Sequence, residues 1–264
     1  MDIIEEKFPI PFDAVDASDR LTAAATFDFF QEAAINDAER LGVGREALIK
    51  SGQVWVLSRM SVLWDSRPKW REAVTVRSWP RGGEKLFALR DYDIRDAGDK
   101  PIVRGRSGWI VLDIEKRRPL RPQTVMEKLP LNEGIDALTG NPVAVGTRAD
   151  FKRTGERQAV YSDIDYNGHV NNTRYIQWVQ DTITDGALEA ADQMRLDINY
   201  LSEVKFGETV EIWSAAIDSA EAGGFGAADW AYAYEGRRAG AAAINTPGAV
   251  FRAELRIRKD RKSQ

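Results

Sequence analysis

Residues 59–78 read RMSVLWDSRPKWREAVTVRS, and residues 195–214 read RLDINYLSEVKFGETVEIWS. The two stretches align without a gap. Arg59, Ser66, Lys69, Glu72, Val74 and Ser78 match Arg195, Ser202, Lys205, Glu208, Val210 and Ser214. Apolar positions match as well: Val62 with Ile198, Trp64 with Tyr200, Trp70 with Phe206. An internal repeat decides architecture before any local reading does, because each copy must fold as a comparable unit. We therefore read the chain as a duplication.

Each copy is preceded by a helix pattern. Phe27, Phe30, Ala34, Ala38 and Leu41 recur at three- and four-residue steps, a single helical stripe stopped by Gly42 and Gly44. Tyr175, Ile176, Val179 and Ile183 do the same before Gly186. Strands are expected near 54–64, 72–79, 85–95 and 102–113, and again near 195–201, 208–218, 225–235 and 246–258, from alternation and β-branched or aromatic content. The AGD at 97–99 is a hairpin-turn signal. Each half thus reads as a helix followed by an antiparallel sheet, an α+β layout. The stretch from about 114 to 158, with RRPLRP, KLPLNEG and TGNP, is rich in proline, glycine and charge and reads as linker. The expected division is 1–125, a linker at 126–155, and 156–264.

Bulk properties exclude several classes of function. The chain has 264 residues and a net charge of −4, so no global basic field is available to hold nucleic acid. It has no cysteine, which removes disulfides, thiolate metal ligands and a cysteine nucleophile, and fits a reducing compartment. The stretch MDIIEEKFPIPFDAVDASDR is acidic and lacks the apolar run of a signal peptide, and no segment reaches the roughly 18 apolar residues of a membrane span. The expected location is the cytoplasm. One histidine, His169, is present, so a mechanism needing two is closed.

That histidine lies in YSDIDYNGHVNNTRYIQW, residues 161–178. Asp165, Asn167 and His169 alternate, and in an extended segment they would share one face. The helix opens just afterwards, with Asn171 or Asn172 as cap. Free backbone N–H groups and the positive end of the helix dipole favour developing negative charge there. An amide and an imidazole can donate to a carbonyl oxygen, a carboxylate can act as base, and a second carboxylate can orient the imidazole. This set suits attack of a positioned water or nucleophile on a carbonyl.

The string DIDYNGHVNNTRYIQW resembles the hallmark of the plant and bacterial fatty acyl-ACP thioesterases, in which Asp, Asn and His alternate before V-N-N and a Tyr. The resemblance implies catalytic roles for Asp165, Asn167 and His169, and for a downstream glutamate that falls at Glu203 in NYLSEV. Many plant members carry a cysteine after that glutamate. Here the residue is Val204, which leaves a water-based mechanism and removes a thiol one. FFQEAA at 29–34, VWVLSRMSV at 54–62 and GRSGWIVLDIEKRRPLR at 105–121 are similar to the family's first unit. The implied fold is two tandem hot-dog units, each an antiparallel sheet wrapped around a long helix. The first unit would shape the acyl channel and the second carry the chemistry. Before the first helix, Asp16 to Thr26 holds no histidine, and Arg67 stands at the position of Glu203. The implied reaction is hydrolysis of fatty acyl-ACP to free fatty acid and holo-ACP. The implied partner is an acyl carrier protein bearing an acyl-phosphopantetheine arm; no metal, cofactor, nucleic acid or membrane span is implied. The fused halves can pair within one chain, as a monomer or as a homodimer of fused units.

Three other readings share parts of this pattern. They are an acyl-CoA thioesterase of another hot-dog branch, a hot-dog enoyl-thioester hydratase, and a non-catalytic acyl-binding protein. Trp55, Trp64, Trp79 and Trp109 read mostly as core. The run KRRPLR at 116–121 reads as solvated linker or as a dock for an acidic carrier, and RIRKDRK at 256–262 as a solvated tail.

Overall fold

A computed structural model describes residues 2–132, 134–218, 225, 227–240 and 248–259. The chain divides into two compact units, residues 1–62 with 67–142, and residues 63–66 with 143–264.

The first unit opens with strand β1 (Ile4–Pro9), a 3₁₀ turn (Phe12–Ala14), helix α1 (Ala23–Arg40) and a short helix α2 (Arg45–Lys50). Strands β2 (Gln53–Trp64), β3 (Ala73–Glu84), β4 (Phe87–Arg95) and β5 (Pro101–Asp113) follow, then β6 (Arg118–Leu120) and the single turn α3 (Gln123–Met126). The strand order is β1-β3-β4-β5-β2, with β6 paired to β5. The second unit has β7 (Lys152–Gln158), a 3₁₀ turn (Tyr161–Asp163), α4 (Asn172–Gln180), β8 (Ala191–Tyr200), β9 (Thr209–Ala216), β10 (Trp230–Arg238) and β11 (Ala249–Lys259). Its order, β7-β9-β10-β11-β8, repeats that of the first unit strand for strand. This is the α+β hot-dog architecture, duplicated.

Local chemistry explains the helices. Thr22 caps α1, its hydroxyl accepting from the Ala25 N–H at 3.1 Å, and Leu41 and Gly42 end it, the glycine at φ +69°. Phe27, Phe30 and Ala34 of the stripe are buried, and Ala38 and Leu41 pack on the cluster of Val43, Leu48, Val111 and Val125. The helix approaches the sheet closely because Gly105 of β5 has no side chain. A Cβ there would lie 2.9 Å from the Phe30 ring. That ring stacks on Tyr92 of β4 with centroids 4.8 Å apart. In the second unit α4 buries Thr173, Tyr175, Ile176, Trp178 and Val179.

Five local expectations are corrected. The second helix is not long: it stops at Gln180, before Ile183. The following Thr-Ile-Thr-Asp run has poor helix propensity, and the Thr182 hydroxyl turns back to the Val179 carbonyl at 2.7 Å. Each unit also begins with a strand ahead of its helix, β1 and β7. Within the stretch read as linker from 114 to 158, β6 forms a hairpin with β5, and KRTGERQ forms β7 at the sheet edge. An edge strand paired on one side needs no apolar alternation, so it left no periodic signal. Strand β10 starts at Trp230 rather than 225. Arg256 to Lys259, taken as tail, belong to β11, with Arg256 buried against Asp197 and Glu254; residues 260–262 and the expected strand start at 246–247 lie outside the described residues. Trp64 and Trp79 are buried and Trp55 and Trp109 half-buried.

Candidate active site

The residues Asp165 to Val170 do not run extended. Ile164 and Val170 form an isolated antiparallel bridge, and the chain between them folds into a tight turn. The Asp165 N–H donates to the His169 carbonyl at 2.9 Å, and the Gly168 N–H to the Asp165 carbonyl at 3.0 Å. The Asp165 carboxylate accepts from the Asn167 N–H at 2.8 Å, an Asx turn. Gly168 takes φ +81°, a conformation open to glycine at no steric cost. The shared-face expectation is therefore corrected. Asp165 and His169 face each other across the base of the turn through their backbones, and Asn167 sits exposed at its tip. The competing signal was Asn167-Gly168, a turn pair, and it prevailed over the alternation.

Beyond the turn the expected cap is present. Asn171 caps α4, its side-chain oxygen accepting from the Thr173 N–H at 3.0 Å. The turn is fastened to the loop between β8 and β9 by the Val170 N–H, which donates to the Val204 carbonyl at 2.8 Å. This bond brings the loop's preceding residue to the turn. His169 Nε2 lies 3.1 Å from a carboxylate oxygen of Glu203. The imidazole is 28% exposed and the carboxylate 50%, so both are open to water and to a ligand.

Several further groups hold the Glu203 loop. The Leu201 N–H donates to the Val250 carbonyl at 2.9 Å. Glu208 accepts from the Lys205 N–H at 2.8 Å. Arg238, at the end of β10, lies 3.2 Å from the Glu208 carboxylate and donates to the Glu203 carbonyl at 2.6 Å. The Lys205 N–H and then Arg238 hold the Glu208 carboxyl below the usual carboxylate range. Burial pushes the Tyr175 hydroxyl well up, and the Val204 backbone is its hydrogen-bond partner. Glu208 was visible to sequence reasoning as a matched position of the repeat. Arg238 was not, because nothing in its neighbourhood of the chain announces a partner 35 residues away.

Among the described residues, no group of three or more His, Cys, Asp or Glu side chains is arranged to hold a metal ion, and no helix is long and apolar enough to cross a membrane. Of the four residues singled out, the structure joins His169 to Glu203 through their side chains, Asp165 to His169 through backbone groups, and the Asp165 carboxylate to the Asn167 N–H.

Residues 2–128 match the family model described as the acyl-ACP thioesterase N-terminal domain, and residues 149–244 that of the C-terminal domain. Among curated relatives, a palmitoyl-acyl carrier protein thioesterase of Arabidopsis thaliana is 25% identical over 76% of this chain and 52% of its own length. An acyl-[acyl-carrier-protein] hydrolase of Cuphea viscosissima is 25% identical over 83% of this chain and 56% of its own. The chain thus spans about half the length of the curated relatives it matches. Two solved structures share the fold along nearly the whole chain. An acyl-ACP thioesterase from Bacteroides thetaiotaomicron superposes with a TM-score of 0.78 at 23% identity, covering 96% of this chain and 97% of that one. A 12:0-ACP thioesterase from Umbellularia californica gives 0.79 at 19% identity, covering 98% of each.

Proposed function

The chain belongs to the acyl-ACP thioesterase family, and from that premise we propose that it hydrolyses the thioester of a fatty acyl-ACP to free fatty acid and holo-ACP at the His169–Glu203 pair. The observation that carries this reading is the 3.1 Å contact between the lone imidazole and a carboxylate, both open to solvent, beside a capped helix start.

In the proposed reaction His169 and Glu203 work as one acid–base unit. They hold a water molecule and take its proton as the oxygen attacks the thioester carbonyl, a contribution on the order of 10²–10⁴ in rate. The carbonyl oxygen becomes an oxyanion. The Asn167 amide and a backbone N–H near the start of α4 receive it, each such donor being worth about 10²–10³. Asp165, bonded to the Asn167 and His169 backbones, keeps the turn in register. Collapse of the tetrahedral intermediate breaks the C–S bond. The leaving group is an alkyl thiolate, a much weaker base than an alkoxide, so little acid catalysis is needed. With Val204 following Glu203 and no cysteine in the chain, attack by water rather than by a thiol fits the residues present. The division of roles proposed for the units, channel in the first and chemistry in the second, rests on the set being held by the second alone. The absence of cysteine supports a cytoplasmic setting.

The test is thiol release from acyl-ACP and acyl-CoA of matched chain lengths. Turnover with a clear preference for the ACP-borne chain supports the proposal. A strong CoA preference transfers the activity to the other thioesterase reading, and hydration of an enoyl thioester without thiol release replaces it with the hydratase reading.

A further inference from the structure

We propose that Arg238 is the positioning residue of the pair, a clamp that sets the Glu203 carboxylate against His169 by holding the Glu203 backbone. The inference rests on the thioesterase reading only for its kinetic readout; the geometry stands by itself. Glu203 lies in the loop between β8 and β9, outside any strand ladder, and its side chain is half exposed. A carboxylate on such a loop keeps one orientation only if the backbone on both sides of its Cα is tied down. On the N-terminal side the Leu201 and Ser202 N–H groups donate to the Val250 carbonyl at 2.9 and 3.2 Å, and on the C-terminal side the Val204 carbonyl accepts from the Val170 N–H at 2.8 Å, which is the turn's own bond to the loop. The Glu203 carbonyl belongs to the peptide between those two residues, and Arg238 donates to it at 2.6 Å. The guanidinium is in turn braced on Glu208, 3.2 Å away, whose other role is to close the loop by accepting from the Lys205 N–H. One planar group thus joins the residue before the loop's turn to the residue at its end, which a lysine ammonium does less rigidly.

The first unit separates this role from a general requirement of the fold. Its corresponding loop is closed in the same manner, Glu72 accepting from the Lys69 N–H at 3.2 Å. Yet Arg238 pairs with Val210 across β10 and β9, and the match to Val210 is Val74, one residue before Thr75, which pairs with Arg95 at the end of β4. The residue standing where Arg238 would be is Asp96. Its carboxylate accepts from the Gly98 and Lys100 N–H groups and builds a hairpin turn instead. The arginine clamp accompanies the glutamate and is missing where arginine replaces that glutamate.

Because His169 is the only histidine, its imidazole gives a single NMR signal set in a histidine-labelled sample. Glu203→Gln defines where those resonances lie when the carboxylate partner is lost. Arg238→Ala is expected to move them toward the same position, with a melting midpoint near that of the wild type. It should lower kcat by about ten- to hundredfold while KM changes little, as expected of a misplaced reacting group. Arg238→Lys, keeping the charge and a donor, should recover much of both. If the alanine variant does not fold, Glu208→Gln, which removes the brace, carries the same readout. Resonances that stay at the wild-type position in folded Arg238→Ala, or that do not respond to Glu203→Gln itself, overturn the proposal. If the wild-type chain releases no thiol from any acyl thioester, the thioesterase reading falls, and the resonances still decide the fate of the clamp.

Discussion

The turn at Asp165–Val170 and the turn at Asp16–Leu21 are the same object built twice. The Asp16 N–H donates to the Arg20 carbonyl at 2.9 Å, as Asp165 does to His169, and the Asp19 N–H to the Asp16 carbonyl at 3.0 Å, as Gly168 does to Asp165. The Ser18 N–H donates to the Asp16 carboxylate at 2.9 Å, and the Leu21 N–H to the Pro68 carbonyl at 2.8 Å. Asp19 even shares the positive φ, at +57°, which aspartate tolerates better than most residues. The pair laid on this frame differs between the copies. In the first unit Arg67, at the position of Glu203, is 1% exposed and lies 2.8 Å from Asp16, 25% exposed. In the second the pair is an imidazole and a carboxylate left open to solvent. The first copy closes its turn with an ion pair whose guanidinium is buried, and the second places an imidazole and a carboxylate there, both open to solvent. Backbone hydrogen bonding keeps a scaffold through duplication, while side-chain identity and exposure are what differ between the copies.

The comparison can be broken most sharply at the paired positions. Glu203→Ala is expected to lower kcat by at least about a hundredfold with the fold intact, the scale of a lost acid–base group. Arg20→Ala and Ser18→Ala, on the other copy of the turn, should leave kcat within about twofold. Steady-state thiol release across these variants is the check, and comparable losses in both sets would erase the asymmetry. Next in size, Asp16→Ala leaves the Arg67 guanidinium buried without this partner. A cost of about 2 kcal/mol is expected, below the usual 3–5 for breaking a buried pair because Asp16 is partly solvated, and read as a lower denaturation midpoint at unchanged kcat. The two helix caps come third. Thr22→Ala and Asn171→Ala should each cost about 1 kcal/mol in chemical denaturation. Only the second should also slow turnover, because it lies next to the turn that carries His169.

The smallest effect concerns acid. Glu208, held low by the Lys205 N–H and Arg238, adds stability that is complete above the ordinary glutamate value of about 4.3 and fades as pH falls through its depressed pKa. Stability should decline on acidification through that window. Glu208→Gln should flatten the decline, which midpoint measurements at stepped pH would show; an unchanged slope removes Glu208 from the account.

Much of this was legible in the residues. The repeat could be read because its matched positions are those that close the loop: Lys69 with Glu72 and Lys205 with Glu208 make the same backbone-to-carboxylate bond. The pairing of His169 with Glu203 was anticipated from the family resemblance, and a cap at Asn171 or Asn172 from the residue type, of which Asn171 is the one observed. The shape of the turn was misread because Asp, Asn and His at alternate positions imitate a strand, while the pair Asn167-Gly168 bends the chain. Strand β7 was hidden because an edge strand made of KRTGERQ buries almost no apolar side chain. Arg238 was hidden for another reason: its partners are brought to it by the β9–β10 hairpin, and long-range pairing of that kind leaves no local pattern.

The central claim is that the second copy of the turn carries a working acid–base pair. The most direct test is single-turnover thiol release from a saturating acyl-ACP by His169→Gln, with its fold verified by circular dichroism and its melting midpoint. A rate at least about a hundredfold below the wild type is predicted. A folded His169→Gln protein that cleaves the thioester at near the wild-type rate would contradict the account.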